Sequence, residues 1–73
     1  MSNNMNDAIH VHINGEARQV KSVTLAALIA ELGLQDKRLA VELDEMLVPK
    51  SKHAETVLHD GAKIEIIQAV GGG

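Results

Sequence analysis

Any core that this chain forms must be built from aliphatic side chains, because the sequence contains no Phe, Tyr, Trp or Cys. A length of 73 residues allows one domain, in the size range where a single core is marginal. Disulfide bonds, a catalytic thiol and a persulfide on this chain are excluded by composition. Stacking of nucleic-acid bases on aromatic side chains is excluded in the same way.

The charge and the hydropathy pattern exclude further classes of partner. The formal net charge is −3, whereas binding to DNA or RNA requires a basic surface. No apolar run approaches the ~20 residues of a membrane span. The first seven residues lack the basic and apolar regions of a secretory signal. We therefore expect a cytoplasmic protein with no nucleic-acid or membrane partner, and a disordered leader at residues 1–8.

The N-terminal part of the sequence predicts a β-hairpin. Residues 9–13 alternate Ile or Val with two histidines, which is the two-residue period of a half-buried strand. Asn14-Gly15 then favours a tight turn. Residues 16–20 can return as a second strand, although their pattern is weak.

The next segment predicts an amphipathic helix. The larger apolar residues recur at helical spacing, and they are Leu25, Leu28, Ile29 and Leu32. Alanines, which favour helix, stand between them. Thr24 is the expected N-cap. Gly33 stands where a left-handed residue commonly ends a helix, and Leu34 can fold back onto the last turn.

The remaining residues predict two further strands with a short strand or loop between them. Residues 39–43 are β-prone, and the polar pair 44–45 can turn the chain. Residues 46–48 are apolar, but the proline that follows bars a continued central strand. Residues 50–55 resemble a loop or a single helical turn. Residues 63–70 form the last predicted strand, with Ile64 and Ile66 on one face.

This order of elements predicts the α+β class. The helix must cover the apolar face of the sheet, since the sequence offers nothing else to bury that face. The simplest arrangement is a mixed sheet of four to five strands, with the last strand beside the first and one main helix across it. This is the β-grasp arrangement known from ubiquitin. We expect a single domain over residues 1–73.

Four histidines and one possible triad are candidate sites inside the domain. His10 and His12 share the outward face of one strand, but a metal site needs further ligands, and none is identifiable. Ser51, His53 and Asp60 include the residue types of a nucleophile triad, without a spacing that selects them. We expect no metal site, and surface positions for His10 and His12.

Two clusters of charge are candidates for docking a partner. The acidic cluster contains Glu42, Asp44 and Glu45, and the basic one contains Lys50 and Lys52. Such clusters are more often solvated surface. The phosphate-binding pattern GxxxxGK[ST] is absent from the sequence. Nothing inside the domain predicts catalysis, so we expect a protein that is not an enzyme.

The C-terminal residues Val70-Gly71-Gly72-Gly73 are the most unusual feature of the sequence. Three glycines can extend ~10 Å and enter a narrow slot, because they carry no Cβ. An ionised terminal carboxylate is a poor electrophile, and an adenylate formed from ATP by another enzyme would activate it. The pattern predicts a carrier or modifier that reacts at Gly73. A flexible, inert end or a cloning remnant is the alternative.

Several segments match the pattern of one known family. They are Leu-Ala-Val-Glu-Leu at 39–43, Val-Pro-Lys-Ser at 48–51, Ala-Glu-Thr at 54–56, Ile-Glu-Ile at 64–66 and the closing glycines. On these segments the chain resembles the sulfur-carrier proteins of thiamin biosynthesis, from about residue 9 to the end. Members of the family often carry aromatic residues near His53 and just before the tail, where this chain has Ala69.

The resemblance implies a β-grasp sulfur carrier that needs no cofactor of its own. An ATP-dependent, E1-like enzyme would adenylate the Gly73 carboxylate. A persulfide donor such as a cysteine desulfurase would convert it to a thiocarboxylate, and thiazole synthase would accept the sulfur. Gly71 and Gly72 would thread the tail into the partners' active sites.

Three alternatives stay open at this point. The small subunit of molybdopterin synthase shares the expected fold and tail, but the Val-Pro-Lys-Ser segment and the short length argue against it. A ubiquitin-like modifier would join its tail to lysines of other proteins. A plain binding module would carry inert glycines.

Overall fold

The computed structural model describes residues 8–68, and the order of its elements is the predicted one. The described residues form five strands, one α-helix and a 3₁₀ helix. In chain order these are β1 (Ile9–Ile13), β2 (Glu16–Val20), α1 (Leu25–Glu31), β3 (Leu39–Leu43), β4 (Met46–Leu47), the 3₁₀ helix (Lys50–Glu55) and β5 (Ala62–Gln68).

The five strands form one mixed sheet in the order β2-β1-β5-β3-β4. β5 lies in the centre, parallel to β1 and antiparallel to β3. The hairpins β1–β2 and β3–β4 are antiparallel. The predicted placement of the last strand beside the first is therefore confirmed, as are the α+β class and the β-grasp arrangement.

The core between α1 and the sheet is aliphatic, as the composition requires. In β5, alternate residues Ala62, Ile64 and Ile66 are buried, whereas Lys63 and Ile67 are exposed. The helix buries the predicted stripe, and partly buried Leu32 and Leu34 pack against it. The buried hydrophobic residues are Val11, Ile13, Val20, Leu25, Leu28, Ile29, Val41, Leu58, Ala62, Ile64 and Ile66.

Both predicted helix caps are present. The Thr24 hydroxyl oxygen accepts a hydrogen bond from the Ala27 N–H at 3.1 Å. At the other end Gly33 has φ +76°, and its N–H donates to the carbonyl of Ala30. The Leu34 N–H donates to the carbonyl of Ile29 at 2.9 Å, which completes a Schellman motif. These caps matter because a seven-residue helix is unstable without them and without tertiary packing.

Both hairpins turn through left-handed residues. Asn14 and Gly15 have φ values of 51° and 85°, which suit the twist of a tight hairpin. Asp44 and Glu45 have φ values of 51° and 74°, although neither is a glycine. A turn at residues 44–45 was predicted, but its left-handed conformation was not. The hydrogen bonds of Asp44 described below support this conformation.

The two ends of the chain, for which a leader and a tail were predicted, lie largely outside the described residues. Of the expected leader 1–8, the structure describes Ala8, which is partly buried directly before β1. The expected tail 71–73 is not described, so both predictions, and that of a single domain over 1–73, stay predictions. Within residues 8–68 no helix is long and apolar enough to cross a membrane.

We expect Ile64→Val to lower the free energy of unfolding by about 1 kcal/mol, since it removes a methyl-sized group from a packed core. Ile64 is 0% exposed, whereas Ile67 on the opposite face of β5 is 57% exposed. The matched variant Ile67→Val should therefore change stability by less than about 0.5 kcal/mol. Urea denaturation followed by far-ultraviolet circular dichroism measures both, and equal losses would contradict the assigned core.

Candidate functional site

The predicted attachment residue, Gly73, and the threading residues Gly71 and Gly72 lie outside the described residues, as does Ala69. The nearest described residue is Gln68, which ends β5 in register with Leu39 of β3. Gly73 is five residues further along the sequence, a distance of at most about 17 Å for a polypeptide. The described part of the site is therefore the surface around the end of β5.

Asn14 binds the backbone of β5 shortly before that end. Its side-chain Oδ1 accepts a hydrogen bond from the Ile66 N–H at 2.8 Å, and its Nδ2 donates to the Ile66 carbonyl at 3.2 Å. Sequence reasoning assigned Asn14 to the turn and missed this contact. The partner is 52 residues away, so no local pattern could have shown it.

An open groove of about 460 Å³ runs beside the end of β5 on the helix side of the sheet. Apolar side chains and two opposite charges line it: Ile13, Leu32, Leu34 and Ile66, with Asn14, Glu16, Arg18 and Gln68. Gln68, the last described residue of β5, is part of this lining.

The face of the sheet away from α1 carries exposed apolar side chains close to Gln68. We call Ala40, Glu42, Leu47, Glu65 and Ile67 the open face. Register places Ala40 opposite Ile67, and Glu42 opposite both Leu47 and Glu65. Leu47 is 67% exposed and Ile67 57% exposed, whereas the two glutamates are partly buried. Exposed apolar residues flanked by charge are typical of a protein interaction surface.

The predicted acidic cluster is divided between two surfaces. Glu42 belongs to the open face, whereas Asp44 and Glu45 lie in the β3–β4 turn and form hydrogen bonds with His59 and Lys63. Asp44 Oδ2 is 2.8 Å from His59 Nε2, and Asp44 Oδ1 accepts the Lys63 N–H at 3.0 Å. Lys63 Nζ donates to Glu45 Oε2 at 3.1 Å. These contacts attach the turn to the start of β5.

The same contacts shift three pKa values. The hydrogen bond from His59, followed by that of the Lys63 backbone, lowers the pKa of Asp44. The hydrogen bond to Asp44 raises the pKa of His59, and the one to Glu45 raises the pKa of Lys63. The side chains are exposed, so we interpret the cluster as a solvated link between turn and strand. Sequence reasoning gave His59 no such role.

His10 and His12 lie on exposed positions of β1, as expected. The backbone N–H of His10 donates to Asp60 Oδ1 at 2.7 Å, and the His10 ring is 3.7 Å from the same oxygen. Within residues 8–68 no three His, Asp or Glu side chains come together as metal ligands.

The possible triad of Ser51, His53 and Asp60 is not assembled. His53 is 7% exposed, and its Nε2 lies 3.0 Å from the carbonyl oxygen of Val48. Asp60 instead accepts the hydrogen bond from His10. His53 is therefore a core residue whose ring is satisfied by backbone, which is the usual state of a buried polar group.

The basic cluster lies on the 3₁₀ helix. Lys52 Nζ is 3.3 Å from Glu55 Oε2, one turn further along. Lys50 and His53 line a shallow pocket against α1 together with Ala26 and Ile29. This surface is formed by other elements than the open face.

Comparison with known proteins gives the family. The sequence model of the ThiS family matches residues 11–73. The chain belongs to the ThiS family. The resemblance predicted from the sequence is thereby confirmed.

Two further proteins match most of this chain. The chain is 45% identical over 62 residues to a thiazole synthase of Paramagnetospirillum magneticum, a match that covers 84% of this chain and 19% of that protein. It thus spans about a fifth of that relative's length. It is also 39% identical over 66 residues to the protein ycf40 of Pyropia yezoensis, covering 89% of this chain and 93% of that one.

A solved structure supports the fold. The crystal structure of the thiamine biosynthesis protein ThiS from Geobacter metallireducens superimposes with a TM-score of 0.76. The match covers 89% of this chain and 100% of that one at 23% sequence identity, so it supports the fold alone.

We expect Asp44→Asn to lower the pKa of His59 towards its ordinary value, because the variant removes the carboxylate that is the main cause of the raised pKa. A titration of His59 followed by NMR measures this. Glu45→Gln is the matched control: it removes the partner of Lys63 but leaves the contact between Asp44 and His59. An equal effect of both variants would contradict the assigned hydrogen bond.

The destabilisation by Asp44→Asn should depend on pH in a defined direction. Because the pKa of Asp44 is lowered in the folded state, its contribution to stability is complete above the ordinary pKa of 3.8. This contribution is lost as the pH falls through the lower pKa of the folded state. Because the pKa of His59 is raised in the folded state, its contribution to stability is complete below the ordinary pKa of 6.5. This contribution is lost as the pH rises through the higher pKa of the folded state. Asp44→Asn should therefore lower the Tm most between pH 3.8 and pH 6.5, and less in alkaline solution.

Proposed function

We propose that the chain carries sulfur as a thiocarboxylate on Gly73. An ATP-dependent, E1-like enzyme adenylates the carboxylate, a persulfide donor such as a cysteine desulfurase supplies sulfur, and thiazole synthase accepts it. The observation that carries the proposal is the family match, which extends through Gly73 on a chain without cysteine. A sulfur carrier with no thiol needs another group to which sulfur can be attached, and the C-terminal carboxyl group is such a group.

The proposed chemistry uses the carboxyl group of Gly73 alone. One carboxylate oxygen attacks the α-phosphorus of ATP, and pyrophosphate leaves. The terminal sulfur of the donor persulfide then attacks the activated carbonyl carbon, and AMP leaves with that oxygen. A further thiol cleaves the sulfur–sulfur bond, which gives the thiocarboxylate and a disulfide between donor and thiol. No Cβ stands beside the carbonyl carbon of a glycine, so the attack of the persulfide sulfur on that carbon is unhindered.

Thiazole synthase is proposed as the acceptor because of a relative. A protein named thiazole synthase contains a segment that is 45% identical to this chain, in 19% of its length. Joining a carrier to its acceptor in one chain raises the effective concentration of the carried group. We infer that the present chain serves an acceptor of the same class as a separate protein.

We further propose that the open face docks the adenylating enzyme. Ile67 immediately precedes Gln68, so a partner that covers this face is directly at the base of the tail. The exposed side chains of Leu47 and Ile67 would supply apolar contact. Glu42 and Glu65 favour a partner surface with basic residues. A modest interface suits a carrier that must leave one enzyme for the next.

We expect thiocarboxylate formation on the intact chain after incubation with ATP, the adenylating enzyme and a persulfide donor. Intact-mass spectrometry should show the gain of one sulfur for one oxygen, and fragmentation should place it on Gly73. Deleting Gly72 and Gly73 should abolish the gain while the thermal unfolding midpoint stays nearly unchanged, since glycine has no side chain to bury in a core.

Other outcomes distinguish the alternatives. An isopeptide bond to a lysine of another protein would indicate a ubiquitin-like modifier. Transfer of the sulfur to the large subunit of molybdopterin synthase, and not to thiazole synthase, would contradict the assigned acceptor. No mass change with active partners, or a large loss of stability on deleting Gly72 and Gly73, would overturn the carrier mechanism itself.

We expect Leu47→Gln and Ile67→Gln each to reduce kcat/KM for adenylation by about tenfold, because each removes roughly 1–2 kcal/mol of apolar contact from the docked complex. Val23→Gln is the control: Val23 is 65% exposed but lies between β2 and α1, outside the open face. If all three variants behave alike, the open face does not dock the enzyme.

A further inference from the structure

The side chain of Asn14 replaces a missing strand at the end of β5. The register between β1 and β5 ends, within the described residues, where Ile13 pairs with Ile64. β1 then turns away through Asn14 and Gly15 to begin β2. On its other side β5 continues to pair with β3 as far as Gln68. Ile66 would therefore face an empty position where β1 has ended.

The Asn14 amide occupies that position with the chemistry of a peptide group. It offers one acceptor oxygen and one donor nitrogen, as a backbone peptide group does. Oδ1 accepts from the Ile66 N–H at 2.8 Å, and Nδ2 donates to the Ile66 carbonyl at 3.2 Å. The Asn14 backbone N–H also donates to the Ile64 carbonyl at 2.9 Å. Three hydrogen bonds thus join one turn residue to β5.

The hairpin turn itself does not require this side chain. Asn14 has φ 51°, a conformation that glycine adopts more readily than asparagine. A glycine or an aspartate would form the turn equally well. The two side-chain hydrogen bonds to Ile66 are therefore a property of asparagine beyond the needs of the turn.

We propose that Asn14 is a positioning residue, which orients the end of β5 and so sets the direction in which the tail leaves the body. This role in sulfur loading rests on the proposed function of Gly73. Gly73 is seven residues beyond Ile66, at most about 23 Å of chain. A change of about 10° in the direction of β5 at Ile66 would displace the tip of an extended tail by about 4 Å. Displacements of that size are large for a reacting atom.

Three variants of the full chain test the proposal. Asn14→Gly preserves the left-handed turn and removes both side-chain hydrogen bonds. Asn14→Asp preserves the turn and an acceptor for the Ile66 N–H, but an ionised carboxylate cannot donate to the Ile66 carbonyl. Thr24→Ala is the control for stability, because it removes the N-cap of α1 without contacting β5.

We expect the Ile66 amide hydrogen to exchange with solvent about tenfold faster in Asn14→Gly than in Thr24→Ala. The ¹⁵N order parameter of Gln68 should fall in Asn14→Gly alone. With the adenylating enzyme, Asn14→Gly should lower kcat about fivefold at nearly constant KM, because the body still docks but the tail is less often in place. Asn14→Asp should restore part of kcat. General destabilisation would instead raise the apparent KM.

Each contrary result has a defined meaning. If Ile66 exchanges alike in Asn14→Gly and Thr24→Ala, the side chain does not hold β5. If exchange and order change but kcat does not, Asn14 has a structural role only, and the positioning role is overturned. If the wild-type chain is not adenylated, the proposed function fails, while the exchange rate and order parameter still decide whether Asn14 orients β5.

Discussion

The parallel pairing of β1 with β5 is the contact on which the rest of the structure depends. It joins residues about 50 positions apart in the centre of the sheet, so one loop closure brings both hairpins and the helix around a common core. Its buried side chains are those of Val11, Ile13, Ala62 and Ile64. Because the core contains no aromatic ring, its stability depends on many small aliphatic contacts, and each branched side chain at this pair of strands matters.

The fold could be predicted to the extent that local sequence determines it. Eleven consecutive residues contain both caps of the helix and its apolar stripe. Thr24, Gly33 and Leu34 all take their predicted roles. The alternation of β1 and β5 gave the buried faces correctly. The left-handed backbone of Glu45 could not be predicted, because glutamate usually avoids this conformation, whereas aspartate, as at Asp44, adopts it more often.

The sequence predicts a chemistry for the tail, but it does not predict the surroundings of the candidate site. The glycine-rich terminus indicates a reactive end from sequence alone. The open face required the strand register, since Ala40 and Ile67 become neighbours only when β3 pairs with β5. The contact between Asn14 and Ile66 and the burial of His53 arise from residues that approach each other after folding. The hydrophobic period and the spacing of motifs along the sequence do not predict such contacts.

The central position of β5 has a mechanical consequence. A partner that draws the C-terminus into its active site pulls along the axis of this strand, which is hydrogen-bonded to β1 on one side and to β3 on the other. Such a force loads these hydrogen bonds in shear, so many must yield together. A strand at the edge of the sheet, peeled away sideways, would lose its hydrogen bonds one at a time. The chain can therefore be held under tension by its tail while its body stays folded.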